Sequence, residues 1–167
     1  MRKIIIIITV ACFCFSETNI GWVDSQNIFN QLDETRDAQV ELEKKQRSLE
    51  AEFMNMIAKR DSLVQDYQAK APLMGAEMQK NKENEIISFE KEIESFQMQK
   101  MGPEGELYTF YAQLIAPIEK KILAAIEKVG NEKGYDYILD SSRGGIVHAL
   151  DSHKLDDYVL EELKKGS

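Results

Sequence analysis

The amino-acid sequence predicts an α+β protein: a small β-sheet base that carries a long, protruding antiparallel helical hairpin and oligomerises through the base. Three observations carry this reading. Residues 34–70 contain no Gly or Pro and are dense in charge, as a long solvated helix would be. The stretch "KAPLMGAE" (70–77) then interrupts the pattern, and a second run of helical period follows it. Finally, the two segments with strand character, "IGWVD" (20–24) and "YDYILD" (135–140), stand at opposite ends of the chain.

The chain opens with Arg2 and Lys3 before an apolar run, residues 4–15, broken only by Thr9. A basic start and a run of this length read as an export signal over residues 1–16, because a spanning helix needs about 20 apolar residues. The alternative is a buried first strand. Processing has two candidate routes, cleavage after Ser16 or lipidation at Cys12 following Thr9-Val10-Ala11.

Without residues 1–16, and so without Arg2 and Lys3, the net charge of −8 becomes −10 and no cysteine remains. That excludes a disulfide framework and thiol chemistry. It also argues against nucleic acid, whose binding depends on neutralising phosphates. The charges are interspersed rather than blocked, which fits a solvated helical surface.

After the first strand, Ser25 is placed to cap a short helix that carries Ile28, Phe29 and Leu32 at helical spacing. In the first long helix a heptad seam places Leu42, Leu49, Met56 and Leu63 at d. The a positions then hold Gln46, Phe53, Arg60 and Tyr67, so Gln46 and Arg60 interrupt the seam. A helix this long extends about 55 Å, further than a core of this size can cover, so it must project.

Pro72 disfavours helical geometry at Ala71 and cannot donate a backbone hydrogen bond, and Gly75 offers a turn residue, which puts the hairpin tip near residues 70–77. The return run sets Ile86, Phe89, Ile93, Phe96, Leu107, Phe110 and Leu114 in one a/d register. Pro103, within "MGPEGE", falls on a d position. The register survives across it, which favours a kink in one helix over a break between two.

Beyond Pro117 the stripe Ile118, Ile122, Ala125, Ile126 and Val129 suits burial on more than one side. Gly134 ends that helix and Tyr135–Asp140 alternates with a period of two, Tyr135, Tyr137 and Leu139 sharing one side. A second alternating run, Ile146–Leu150, is expected to complete the sheet, and Asp156 to cap a last helix with Val159, Leu160 and Leu163 on its inner face.

A hairpin returns residues near 33 and 118 to one place. The base is therefore assembled from 17–33 and 118–167, with 34–117 forming the arm. At about 65–70 residues with open strand edges, such a base calls for partners. Its candidate oligomerisation residues are Ile20, Trp22, Val23, Tyr135, Tyr137, Ile138, Leu139, Ile146 and Val147.

These residues also carry a resemblance. "PIEKKILAAIEKVGNEKGYDYILD" (117–140), "IGWVDSQNIF" (20–29) and "LDSHKLDDYVLEELKK" (150–165) resemble motifs of the Skp/OmpH family of periplasmic chaperones for outer-membrane proteins. With the hairpin between them, the resemblance spans the chain after its signal. It implies an ATP-independent periplasmic holdase whose three subunits join through their β-bases and enclose unfolded outer-membrane β-barrel proteins between helical arms. The acidic balance departs from the family's basic arms, which leaves contact with anionic membranes or lipopolysaccharide open. The competing reading is a coiled-coil adaptor of the cell envelope, lipid-anchored at Cys12.

Apart from Met1, every methionine falls between residues 54 and 101. Met54, Met78 and Met98 lie off the seam, as do Ile57, Val64 and Ile87. Flexible apolar side chains suit surfaces that accept many sequences, which makes these six the candidate client contacts. Packing against the opposing arm explains them equally well. His148 and His153 lack the companions that a metal site needs, and no nucleophile, base or phosphate loop stands out. The sequence thus predicts neither an enzyme nor a cofactor.

Overall fold

The computed structural model describes residues 17–165. The apolar run, with the cleavage and Cys12 alternatives, lies outside them. The described residues begin with strand β1 (Ile20–Val23), a short helix α1 (Ser25–Gln31) and the long helix α2 (Asp33–Lys70). A 3-10 turn at Ala71–Leu73 leads into α3 (Ala76–Phe96), which ends in a π-helical turn at Gln97–Met101. Helix α4 (Glu106–Lys133), strand β2 (Tyr137–Asp140) and helix α5 (Asp156–Lys165) complete the fold.

Local chemistry accounts for the joints, in three places differently from the sequence expectation. Asp24, not Ser25, caps α1: its carboxylate accepts the Asn27 backbone N–H at 2.9 Å. Asp156 lies inside the first turn of α5, where its buried carboxylate accepts from the Asp24 backbone N–H and from the Asn27 side-chain amide. It ties the last helix to the first one instead of capping. At the hairpin tip Gly75 has an ordinary negative φ, so the turn draws on Pro72 and on the Gln79 side chain, which donates to the carbonyls of Ala71 and Met74.

The return limb is broken, and the expected kink is corrected. After the π turn Gly102 is extended (φ −69°, ψ 172°) and α4 restarts only at Glu106. Pro103 has no N–H to donate and disfavours helical geometry in the residue before it. By contrast α4 runs unbroken through Pro117, so the limit expected between arm and base falls inside one helix. At its end Gly134 takes the left-handed conformation (φ +71°), and the Tyr135 N–H reaches back to the Gly130 carbonyl at 2.9 Å.

Among the described residues the sheet has two strands, and they are parallel: Ile20 faces Tyr137 and Val23 faces Asp140. The hairpin is the crossover between them. The third strand expected at Ile146–Leu150 does not form. Gly144 and Gly145 both take positive φ and turn the chain away from the ladder. The Trp22 indole N–H then holds the Leu150 carbonyl at 2.9 Å, and the second side of β1 goes to Leu155, whose N–H donates to the Trp22 carbonyl.

Beneath the sheet, Val23, Ile28, Ile122, Val129, Leu155 and Val159 form the heart of the core. Full burial of each such side chain is worth about 1.5–3 kcal/mol. Close approach fixes two glycines here. A Cβ on Gly21 would sit 2.7 Å from Leu155, and one on Gly130 would sit 2.9 Å from Ile138. The first and last described segments therefore share one core at the root of the arm.

Candidate binding surfaces

The parallel register sorts the base residues onto two faces. Gly21, Val23, Ile138 and Asp140 turn toward the core. Ile20, Trp22, Tyr137 and Leu139 share the outer face. There Ile20, Tyr137 and Leu139 are exposed, Tyr137 by 62%, while Trp22 is half covered by its bond to Leu150 and by Lys154 above its ring. Tyr135 does not join Tyr137: it precedes the strand and packs, half-buried, against the core. Val147 is fully exposed and Ile146 half-buried.

Of the nine base residues read from the sequence, Val23, Tyr135 and Ile138 thus belong to the protomer's own core. Ile20, Tyr137, Leu139 and Val147 stand free of it. An apolar strip of this kind is unusual on a solvent-facing sheet. Among the described strands, β2 also has no pairing partner on the side away from β1.

Along the arm, α2 meets α3 and α4 through the seam residues. Phe53 stacks on Phe96 with ring centroids 6.4 Å apart, and Leu49 and Ile93 are buried between the limbs. Arg60, one of the two polar interruptions, is half-buried and reaches Glu90 across the hairpin at 3.7 Å. Gln46, the other, is exposed and faces the broken part of the return limb at Gly102 and Pro103. There the Glu106 carboxylate bonds both Lys45 of α2 and Lys100 of the π turn. These two ammonium groups, Lys100 foremost, hold its pKa down at about 2.

The six candidate client contacts do not form one face. Met54, Met78, Ile87 and Met98 are exposed, Met98 by 75%, but Ile57 and Val64 are half-buried. Met54, Ile57 and Val64 recur at helical spacing on one stripe of α2. Met78 and Ile87 are nine residues apart in α3, about two and a half turns, and so point to opposite sides.

His148 and His153 are both exposed. Among the described residues no group of three or more His, Cys, Asp or Glu could hold a metal ion, and no helix is long and apolar enough to cross a membrane.

Sequence reasoning missed the anchor between the start of α1 and the end of β2. The Asp140 carboxylate accepts from the backbone N–H groups and the hydroxyls of Ser25 and Ser142. Burial acts to raise its pKa, but these donors outweigh it and lower the value. The signal was present as "DSS" after a strand, a frequent turn pattern that does not reveal a partner 115 residues away.

The family model for outer membrane protein (OmpH-like) matches residues 19–163. A crystal structure of a Caulobacter crescentus CB15 protein, described as an outer membrane chaperone (OmpH-like), aligns with a TM-score of 0.78 and 11% identity. The alignment covers 91% of this chain and 87% of that one, a likeness of fold. No curated protein sequence matches the chain.

Proposed function

The chain belongs to the OmpH-like family of outer membrane proteins, and from that premise we propose that it is an ATP-independent periplasmic holdase that encloses unfolded outer-membrane proteins between its arms. The family is one of non-catalytic chaperones, so the mechanism is one of binding. The observation that carries the reading is the outer face of the β1–β2 sheet, where Ile20, Tyr137 and Leu139 lie exposed.

In this reading copies of the chain cover that face and extend the sheet past β2, as a trimer. Burying the strip removes apolar surface from water, and pairing β2 satisfies its free edge. The arms then hang from the joined base and bound a shared space. A non-native chain held there is kept from other non-native chains, which is all that a holdase must accomplish. The exposed side chains Met54, Met78, Ile87 and Met98, with the stripe through Ile57 and Val64, supply weak and adaptable contacts to it. Acidic arms offer little steering of negatively charged clients, so apolar contact carries the affinity.

The test is aggregation of a urea-denatured outer-membrane β-barrel protein on dilution, followed by light scattering without nucleotide. The chain is expected to suppress scattering at near-stoichiometric ratio to its assembled form. Unchanged scattering would contradict the reading.

A further inference from the structure

On the side away from the outer sheet face, α1 and α4 border a groove at the root of the arm, where the seam ends at Leu42 and Leu114. Two adjoining cavities of roughly 450 and 380 Å³ lie along it and share Gln26, Phe29, Tyr111 and Ile115 as walls. The α4 side is a stripe of Tyr111, Ile115, Ile122 and Ile126 at helical spacing, with Leu123 beside it. Tyr111 and Leu123 remain exposed, Leu123 by 65%, although both are large and apolar.

The polar lining is distinctive. In a chain with 30% charged residues, α1 ("SQNIFNQ") has none. Its Gln26 and Asn30, with Gln39 of α2, line the groove with uncharged side-chain amides. The charged lining residues balance, Arg36 and Arg143 against Glu119 and Asp140, on a protein whose net charge is −8. Thr35 also lines the first cavity, is only 8% exposed, and its Oγ1 has no hydrogen-bond partner. A buried hydroxyl left unpaired is destabilising, a cost that the fold carries beneath the groove wall.

These properties select an occupant. Folded proteins present backbone groups that are already paired, whereas a non-native chain brings free N–H and C=O groups beside its apolar side chains. An apolar floor with a neutral amide and hydroxyl lining matches such a segment. The charge balance matters as well: a neutral strip on an acidic protein repels neither end of an uncharged segment, while an acidic segment is repelled by the surroundings. We propose that the α1–α4 groove is a docking site for a short, extended, uncharged and apolar-rich segment of client polypeptide. This rests on the holdase reading and adds to it a site at the arm's root, distinct from the off-seam residues along its length.

The test combines a photo-crosslinking residue at Leu123 with affinity measurements on three variants, using a urea-denatured outer-membrane β-barrel protein as the probe. The expected crosslink joins the chain to the probe. Leu123→Gln and Tyr111→Gln are expected to weaken binding about tenfold, with the assembly's mass unchanged. Thr35→Val is expected to raise the melting temperature of the free protein and to leave binding unchanged, because the Oγ1 lies buried beneath the groove wall. Wild-type affinity in both Leu123→Gln and Tyr111→Gln, or crosslinks only between copies of this chain, would overturn the docking site alone. A wild-type protein that neither binds nor protects the probe overturns the holdase reading and the site together.

Discussion

Ser25 and Asp140, 115 residues apart in sequence, are joined by a 2.6 Å hydrogen bond from the serine hydroxyl to the carboxylate. The contact ties the start of α1 to the end of β2 within the base. Ser141 adds a bond from its hydroxyl to the Val23 carbonyl at 3.0 Å, so the turn after β2 grips the end of β1 from two sides.

Asp140→Ala removes an acceptor shared by four donors and is expected to cost about 2–3 kcal/mol, read as a lower urea midpoint. The folded-state pKa lies below the ordinary 3.8. The carboxylate's contribution is therefore present above pH 3.8 and is lost as pH falls through the lower folded value. A variant as stable as wild type at neutral pH would remove the anchor from the account.

Glu106 gives a separate acid signature in the arm. Its pKa falls from 4.5 to about 2 because Lys100 and Lys45 both bond it. The stability it adds is complete above about pH 4.5 and is lost as pH drops toward about 2. Melting temperatures of wild type and Glu106→Gln are expected to differ at pH 6 and to converge near pH 2. A gap that stays constant with pH would show that the paired carboxylate is not its source.

The two glycines bordering α3 should respond differently to alanine. A Cβ on Gly102 would lie 2.4 Å from the Met98 carbonyl oxygen, whereas one on Gly75 meets nothing within 4 Å. Gly102→Ala is expected to cost about 1–3 kcal/mol and to speed hydrogen exchange across residues 97–105. Gly75→Ala should stay within about 0.5 kcal/mol of wild type, because lost chain entropy offsets a slightly poorer cap. Equal effects at both positions would contradict the close packing at the break.

Replacing the off-seam set Met54, Ile57, Val64, Met78, Ile87 and Met98 with Gln is expected to weaken client binding and leave the assembled mass unchanged. The exposed members should dominate. Ile57 and Val64, being half-buried, should also lower the melting temperature. Unaltered client affinity would remove the arms' apolar side chains from the mechanism.

The helical parts were legible because their signals are local. Residues 34–70 lack any breaker, Pro72 stops the first limb, and Gly134 supplies the left-handed turn that ends α4. The misread parts depend on contacts distant in sequence. Ile146–Leu150 alternates like a strand, yet the neighbouring glycines and Trp22 hold it out of the ladder. Asp156 has the composition of a cap but is used to bind Asn27. The preserved heptad across Pro103 concealed a break because a π turn and an extended glycine can absorb residues without disturbing apolar spacing. The α1–α4 groove was equally hidden, since only packing shows that Thr35 is buried without a partner.

Native mass measurement of the purified protein, alone and mixed with a denatured β-barrel protein, tests the central claim most directly. The predicted result is a trimer that takes up one client, reduced to monomers without client when Tyr137 and Leu139 are changed to Asp. A wild-type chain that is a stable monomer, or a trimer that survives both substitutions, would contradict assembly through the outer sheet face.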